Sequence, residues 1–279
     1  TATGGSQSLT GSVGEGIKGK VTVLGGTFTN CTIKNIISFD ETNTSFSNCD
    51  LTFTIPAALT KDYSNCIFRG ETTVQGETFT NCTFTGNSFL MNKGTINNTD
   101  GSNITAENIT INGGNINVKI PDTTGKNTGR NAIGSENSTI IINNGTIVAE
   151  GGIENDGFGK NYYSAISRSV SIKGGHITAI SPGNAAAIGG NGGRSISETN
   201  GENITITGGV VIAISKGAGA GIGGATNQDG DNPSAGKNIT ITGGTVIATS
   251  VNGTGIGGGG TTGETENIII SGGSVFTNG

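Results

Sequence analysis

A short phrase of alternating apolar and polar residues returns six times along the chain and usually ends in paired glycines. The alternation before the glycines is typical of a half-buried β-strand. The copies are NITINGG from Asn108, TIIINNG from Thr139, SVSIKGG from Ser169, NITITGG from Asn203, NITITGG from Asn238 and NIIISGG from Asn267. Successive copies lie 29 to 35 residues apart. A period of this size indicates a repeat architecture.

Each long repeat has two further readable parts. A second alternating run follows the glycines, as in HITAI from His176 or TVIAT from Thr245. A small-residue phrase with one central isoleucine comes third, and we expect that isoleucine to point inward. The central residues are Ile133, Ile166, Ile188, Ile222 and Ile256. Three short strands per repeat with glycine corners predict an all-β fold, a single-chain parallel β-helix for which right-handed winding is favoured.

Apolar side chains at equivalent places in successive repeats are predicted to stack in columns. Each buried Ile or Val contributes about 1.5–3 kcal/mol relative to exposure, so such columns can stabilise a fold that has little aromatic core. The first strand supplies Ile109, Ile140, Val170, Ile204, Ile239 and Ile268. The second supplies Ile116, Ile147, Ile177, Val211, Val246 and Val275, and beside them Val118, Ala149, Ala179, Ala213, Ala248 and Thr277.

The first third of the chain carries a shorter repeat of an aromatic residue, Asn and Cys. Asparagine tolerates the left-handed conformation of tight corners, so turns are predicted at Asn30, Asn48, Asn65 and Asn81. The segment 55–62, IPAALTKD, breaks the pattern and is predicted to be a bulged loop. We therefore divide one continuous rod into a short-coil part, residues 1–94, and a long-coil part, residues 95–279.

The four cysteines belong to this short repeat. They are Cys31, Cys49, Cys66 and Cys82, spaced 18, 17 and 16 residues apart, which is not a zinc pattern. The regular spacing favours a column of buried thiols in which Cys acts as a small hydrophobe. Disulfides between neighbouring repeats are the alternative, because stacked Cα atoms about 4.8 Å apart lie within the permitted range.

Composition narrows the classes of function. The net charge is −5 with no basic run, which argues against nucleic acid as a partner. No apolar stretch of about 18 residues is present, so no membrane span is predicted. The chain has 52 glycines, but they do not fall at every third position as in collagen.

The phrase ITITGGTVIAT and the following GTGIGGG, together residues 239–259, resemble the glycine-rich β-helix repeats of secreted or wall-attached bacterial surface proteins. The resemblance covers about residues 105–279. It implies an extracellular or cell-surface location, adhesion or carbohydrate binding, and a polysaccharide or host glycan as partner. One branch of that group carries Asp-rich calcium motifs in the third strand, where this chain has Gly and Ala.

Two acidic segments suggest alternative functions. The segment from Asn98 to Gly101 resembles the Asn-Thr-Asp element of polygalacturonase-type glycosidases, but the paired carboxylates that glycoside hydrolysis needs are missing, so Asp100 is interpreted as a turn residue. Asp229 and Asp231 offer alternate oxygen donors for a weak calcium ion, although a solvated turn is favoured. We therefore predict no cofactor.

Two sets of outward positions are candidate contact surfaces. The apolar stripe consists of Val148, Ile180, Ile212, Ile214, Ile247 and Phe276. An exposed stripe of this kind marks an interaction surface, unless the third-part loops fold over it. The hydroxyl patch consists of Thr205, Thr207, Thr240 and Thr242. Flat threonine arrays can order water, but only two repeats carry this one.

The leading prediction is a non-enzymatic adhesion or carbohydrate-binding module at the cell surface. Its expected contacts are the apolar stripe and the third-part loops. The alternative is a structural stalk or a fibre subunit that associates end to end, because an open end of a solenoid exposes unpaired backbone groups. A polysaccharide lyase or glycosidase comes third.

Overall fold

The protein is all-β. A computed structural model describes residues 8–13, for which only the backbone is considered, and residues 20–125, 129–194 and 199–279. About 57% of the chain is β-strand. Helical structure in the described residues is a single 3₁₀ turn, Glu41–Asn43, in which the side chain of Asp40 accepts a hydrogen bond from the Thr42 amide. The predicted fold class is thus confirmed at the level of an all-β chain.

The strands of the short repeats include three long ones that bend through corners. They are β1 Ser8–Val13, β2 Val21–Val23, β3 Gly26–Phe39, β4 Thr44–Ser47, β5 Asp50–Phe53, β6 Ala57–Leu59, β7 Tyr63–Ser64, β8 Ile67–Thr80 and β9 Thr83–Asn98.

The strands of the long repeats are shorter and are separated by glycine corners. They are β10 Asn108–Ile111, β11 Asn115–Lys119, β12 Thr123–Thr124, β13 Thr139–Ile142, β14 Thr146–Glu150, β15 Ile153–Asn155, β16 Lys160–Tyr162, β17 Ile166–Ser167, β18 Val170–Ile172, β19 His176–Ser181, β20 Ile188–Gly189, β21 Gly192–Gly193, β22 Gly201–Ile206, β23 Val210–Ser215, β24 Ile222–Gly223, β25 Gly236–Ile241, β26 Thr245–Ser250, β27 Ile256–Gly257, β28 Thr265–Ile270 and β29 Ser274–Asn278.

The first and second strands of each long repeat pair in parallel with the equivalent strands of the next repeat. Ile204 lies opposite Ile239, which lies opposite Ile268. The second strands follow the same rule, with Val211 opposite Val246. Because the pairing is in register, residues at the same place in every repeat share one face of the sheet. The predicted stacking of the apolar columns is confirmed for these strands.

One inward column runs through both kinds of repeat. Rings at the start of the column are 5.1 Å apart between Phe28 and Phe46 and 5.4 Å apart between Tyr63 and Phe79. From Phe79 onward, strand pairing continues the column through Ile96, Ile116, Ile147, Ile177, Val211, Val246 and Val275. All of these are buried except Val275, which is half-buried. The aromatic ladder thus gives way to aliphatic side chains without a break in register.

A third inward column carries the central isoleucines. Bridges and short strands link Phe84 to Ile104, Ile133 and Ile166, and then onward to Ile188, Ile222 and Ile256. The strands here, such as β20 and β24, are only two residues long. The backbone is closely packed beside them, since a Cβ on Gly201 would lie 1.7 Å from the carbonyl oxygen of Gly223.

The cysteines form the predicted buried column of free thiols. Asn98 takes the next place in it: its side-chain oxygen accepts from the Cys82 amide at 2.8 Å and its amide donates to the Cys82 carbonyl at 2.6 Å. Asn98 is itself paired with Val118, where the Val and Ala column begins. A buried amide that bonds both backbone groups is fully compensated.

The predicted corner asparagines are confirmed. Asn30, Asn48, Asn65 and Asn81 have φ between 53° and 55°. Asn203, Asn238 and Asn267 repeat this left-handed geometry within β22, β25 and β28, and their side chains bond along the row at 3.4 and 3.1 Å. Asparagine is favoured here because its short polar side chain lowers the cost of a left-handed residue.

Two details differ from the sequence-based expectations. The segment 55–62 is not simply a loop: Ala57–Leu59 is strand β6, pairs with β8, and buries Ala57 and Leu59. Proline precedes this strand and so costs no ladder hydrogen bond. The loops of the third part also contain an antiparallel hairpin, β15 with β16, which was not predicted.

The columns predict that substitutions at inward positions lower the free energy of unfolding much more than substitutions at outward positions. Ile239→Ala should lower the free energy of unfolding by about 2–5 kcal/mol, because a fully buried side chain leaves a cavity. The matched control, Thr240→Ala on the outward face of the same strand, should cost less than about 1 kcal/mol. Urea denaturation of both variants checks this. Equal losses would contradict the assignment of inward and outward faces.

Candidate functional site

A cavity of about 450 Å³, lined mainly by residues with polar side chains, lies on the outer side of the third column, where short repeats give way to long ones. Thr83 and Thr85 form its floor beside the inward Phe84, and Arg130, Glu136 and Tyr163 come from the long-repeat loops. A second cavity of about 340 Å³ shares Thr83 and Arg130 with the first. The two cavities therefore adjoin across Arg130 and form one candidate groove.

Two arginines line the groove in different electrostatic settings. Arg69 is held by a two-pronged pair with Asp50, with Nε–Oδ1 at 2.8 Å and Nη2–Oδ2 at 3.1 Å. Arg130 makes no hydrogen bond or ion pair with the described part of the chain and is exposed at the junction of the two cavities. A guanidinium presents five N–H donors in a rigid fork, so Arg130 can donate to a ligand.

Tyr163 is fixed at the rim by the unpredicted hairpin. Its hydroxyl donates to Glu154 Oε2 at 3.0 Å, and Asn161 Nδ2 donates to the same oxygen at 3.0 Å. Glu154 is buried on β15. Burial, and then the Glu154 carboxylate, raise the pKa of Tyr163. The ring also packs against Gly129, where a Cβ would lie 1.9 Å from it.

A set of buried asparagines shapes the inner wall of the groove. Asn103 Nδ2 donates to the carbonyl of Asn131 at 3.2 Å, and the Ser164 hydroxyl donates to Asn131 Oδ1 at 3.3 Å. Asn191 Oδ1 accepts from the Ser164 amide at 2.8 Å. These bonds fix the amides before any ligand arrives. A ligand therefore meets a wall of preorganised donors and acceptors.

The residues of the apolar stripe lie in two adjacent outward rows. Val148, Ile212, Ile247 and Phe276 share one row with Thr178, and Ile180 and Ile214 share the other. The exposed fraction is 40% for Val148 and 60% for Phe276, and the remaining stripe residues are half-buried. The stripe is thus brought together by the register and reaches solvent in part.

The hydroxyl patch is also assembled, but it is small. Thr205 lies opposite Thr240, and Thr207 and Thr242 follow directly after their strands as exposed residues. The neighbouring repeats differ. Ile269 of the next repeat lies opposite Thr240, and exposed Lys173 lies on the other side, in the previous repeat. The flat array thus extends over two repeats.

The acidic candidates lie in turns. Asp100 Oδ1 accepts from the Ser102 amide at 3.0 Å, as an Asx turn requires. Asp231 Oδ1 accepts from Asn227 Nδ2 at 2.5 Å, and Asn227 Oδ1 accepts from the Asp231 amide at 3.0 Å. Asp229 is exposed in the same loop. The residues that the structure describes include no group of three or more His, Cys, Asp or Glu placed to hold a metal ion.

Sequence reasoning placed contacts in the third-part loops but did not identify the groove. Its residues come from separate repeats, so no local motif contains them. One signal was present: Asn155-Asp156-Gly157 precedes the hairpin return, and an Asp-Gly pair between alternating residues is a strong turn signal. The Asp156 side chain accepts from the amides of Phe158 and Gly159, and Phe158 at this tip is 67% exposed.

Comparison with protein-family models, with curated proteins and with solved structures gives no match for this chain. Among the described residues, no helix has the length and apolar character needed to cross a membrane. The resemblance to bacterial surface repeats therefore stays a prediction that depends on the residues quoted for it.

The three tyrosines of the chain predict an unusual alkaline titration. Burial raises the pKa of Tyr63, Tyr162 and Tyr163, so the folded protein should show less phenolate than the unfolded chain at pH about 10, the ordinary pKa. A pKa raised by folding gives stability that is complete below pH about 10 and is lost as pH rises further. Ultraviolet absorbance of phenolate checks this against the urea-unfolded chain. Half-ionised tyrosines in the folded protein at pH about 10 would contradict the prediction.

Proposed function

We propose that the chain is a carbohydrate-binding β-solenoid module that acts without catalysis, and that the polar groove is its ligand site. The groove combines guanidinium, amide, hydroxyl and aromatic groups on fixed elements. Sugars carry dense hydroxyl groups that both donate and accept, and such mixed surfaces satisfy them. The observation that carries the proposal is the pair of adjoining cavities that share the exposed Arg130.

The finer architecture belongs to the same proposal. Parallel pairing of each strand with its equivalent one repeat later is what a β-helix requires, and three inward columns supply its three walls. A right-handed winding is the favoured sense of parallel crossovers. In this arrangement the short-coil part and the long-coil part form one rod, since β9 pairs with both β8 and β10.

The electrostatics of the groove favour a polyhydroxylated ligand over a strongly charged one. Arg69 is paired with Asp50, and Arg130 and Glu136 both line the first cavity. Opposite charges of similar number give no large field of one sign. Adhesion to a polysaccharide or host glycan at the cell surface is the setting that this chemistry and the repeat resemblance both support.

A second candidate, self-association as a stalk or fibre, is favoured by the apolar stripe. Exposed Val148 and Phe276 lie in one row with the half-buried Ile212 and Ile247. Burying such a row against another copy would remove apolar area from water. Under the leading proposal, the stripe instead provides a flat apolar flank along the rod.

Catalysis is the third possibility and is the least supported. Asp100 is committed to its Asx turn, and Glu136 lines the first cavity whereas Asp100 lines the second. Glycoside hydrolysis requires two carboxyl groups about 5–9.5 Å apart across the bond. We therefore propose binding alone, with calcium at Asp229 and Asp231 left as an unsupported alternative.

Glycan-array binding tests the groove. Arg130→Ala should weaken binding of the best glycan by at least about tenfold, because it removes a charge-assisted donor worth about 1.5–3 kcal/mol. The matched control is Arg194→Ala, which changes another exposed arginine that does not line the groove. Equal losses in both variants, or no glycan binding by the unaltered protein, would contradict the proposal.

Sedimentation separates the second candidate from the first. The double variant Ile212→Asp, Ile247→Asp places two charges in the apolar stripe. If the stripe joins copies, the unaltered protein should form multimers that this variant loses, whereas the groove proposal expects a concentration-independent monomer in both. Glycan binding by the variant should stay unchanged under the groove proposal.

A further inference from the structure

The first two thiols of the column in the short repeats form a close pair. The Sγ atoms of Cys31 and Cys49 lie 3.2 Å apart. The Cys66 thiol donates to the Ser64 carbonyl at 3.3 Å, and the Cys82 thiol donates to the Thr80 carbonyl at 3.4 Å. The first thiol of the column therefore already meets the second.

The register explains why the paired thiols approach each other. Thr32 lies opposite Asp50 and Ile33 opposite Leu51, so Cys31 and Cys49 occupy the same place in neighbouring repeats. Cys66 and Cys82 have the same relation, since Ile67 lies opposite Thr83, and so do Cys49 and Cys66, since Asp50 lies opposite Ile67. The close contact of Cys49 with Cys31 leaves Cys66 and Cys82 as the remaining neighbours. Strands that are hydrogen-bonded neighbours lie about 4.8 Å apart, within the Cα separation of 4.4–6.8 Å found for disulfides.

We propose that Cys31 with Cys49, and Cys66 with Cys82, are disulfide-forming pairs that link neighbouring repeats when the protein folds in an oxidising environment. The sulfur atoms of the first pair need to approach by only about 1.2 Å to reach bonding distance. The two bridges would then link four successive short repeats into two covalently joined pairs. This inference does not depend on what the groove binds.

The chemistry needs an oxidant, which we take to be a small disulfide such as oxidised glutathione. The thiolate of Cys49 attacks one sulfur of the small disulfide and releases one small thiol. Cys31 then attacks the Cys49 sulfur of the mixed disulfide, so the Cys31–Cys49 bond forms and the second small thiol leaves. Each bridge transfers two electrons to the small disulfide and releases the two thiol protons, which the departing thiols take up.

Cys49 is the better first nucleophile of its pair. The hydrogen bond between the two thiols lowers the pKa of Cys49 and raises that of Cys31. All four side chains are buried. The exchange therefore takes place in the folding chain, before the column closes over the mixed disulfide.

The test is to refold the reduced, urea-unfolded protein in a buffer of oxidised and reduced glutathione. Free thiols are then blocked with N-ethylmaleimide under denaturing conditions, and the linked peptides are mapped by mass spectrometry. The expected result is Cys31 linked to Cys49 and Cys66 linked to Cys82, with a thermal midpoint that falls when reductant is added. Four alkylated thiols, or a Cys49–Cys66 link, would overturn the proposal.

Two mirror variants keep the test decisive if one of them fails to fold. Cys49→Ala should leave Cys31 open to alkylation while the Cys66–Cys82 bridge persists. Cys66→Ala should leave Cys82 open while the Cys31–Cys49 bridge persists. Circular dichroism establishes that each variant is folded before mapping. A folded variant in which the remaining cysteines re-pair in another order would count against fixed pairs.

Discussion

In-register stacking of each repeat on the previous one is the constraint on which the whole structure depends. A parallel ladder places like residues above like residues, so every choice at one position is repeated about 4.8 Å further along. Apolar residues then reinforce one another in columns, and the column that begins at Phe28 continues through Ile116 as far as Val275. Because neighbouring repeats supply most of the contacts, stability is approximately a sum over interfaces.

The same constraint decides where function can lie. Inward positions are occupied by packed side chains, and outward positions on regular strands carry similar residues in successive repeats. Irregular segments do not follow this rule. They concentrate on the third side of the repeats, where strands are only two residues long and the loops differ in length. The polar groove and its hairpin lie there, at the transition between repeat lengths. Variation supported on a rigid scaffold is the usual origin of binding sites.

Much of the fold was predictable from the sequence because the period itself carries the information. The Ile204, Ile239 and Ile268 column, the left-handed corners at Asn30 and Asn48, and the buried cysteines all follow from spacing alone. Local exceptions were harder. Ala57–Leu59 joins the sheet through Ala57 and Leu59, whose side chains fill inward positions. A proline just before this strand interrupts the sequence pattern, so the strand was not recognised.

The groove was not predictable in the same way. Arg69, Arg130 and Tyr163 are separated by 61 and 33 residues and meet only because repeats of different length stack. Asn98 illustrates the same limit on a smaller scale. Its sequence context resembles an enzyme motif, but its side chain bonds both backbone groups of Cys82 and closes the thiol column. The structural role of such a residue depends on its pairing with neighbouring repeats and not on its local sequence.

Distances along one outward row test the stacking most directly. Thr73, Ser171 and Thr240 belong to a single row, four steps and then two further steps apart. Spin labels on cysteines introduced at these positions, measured by pulsed electron resonance with the native thiols buried, should give about 19 Å for Thr73 to Ser171 and about 29 Å for Thr73 to Thr240. Distances that fail to grow in proportion to the number of repeats would contradict a structure built from stacked, in-register repeats.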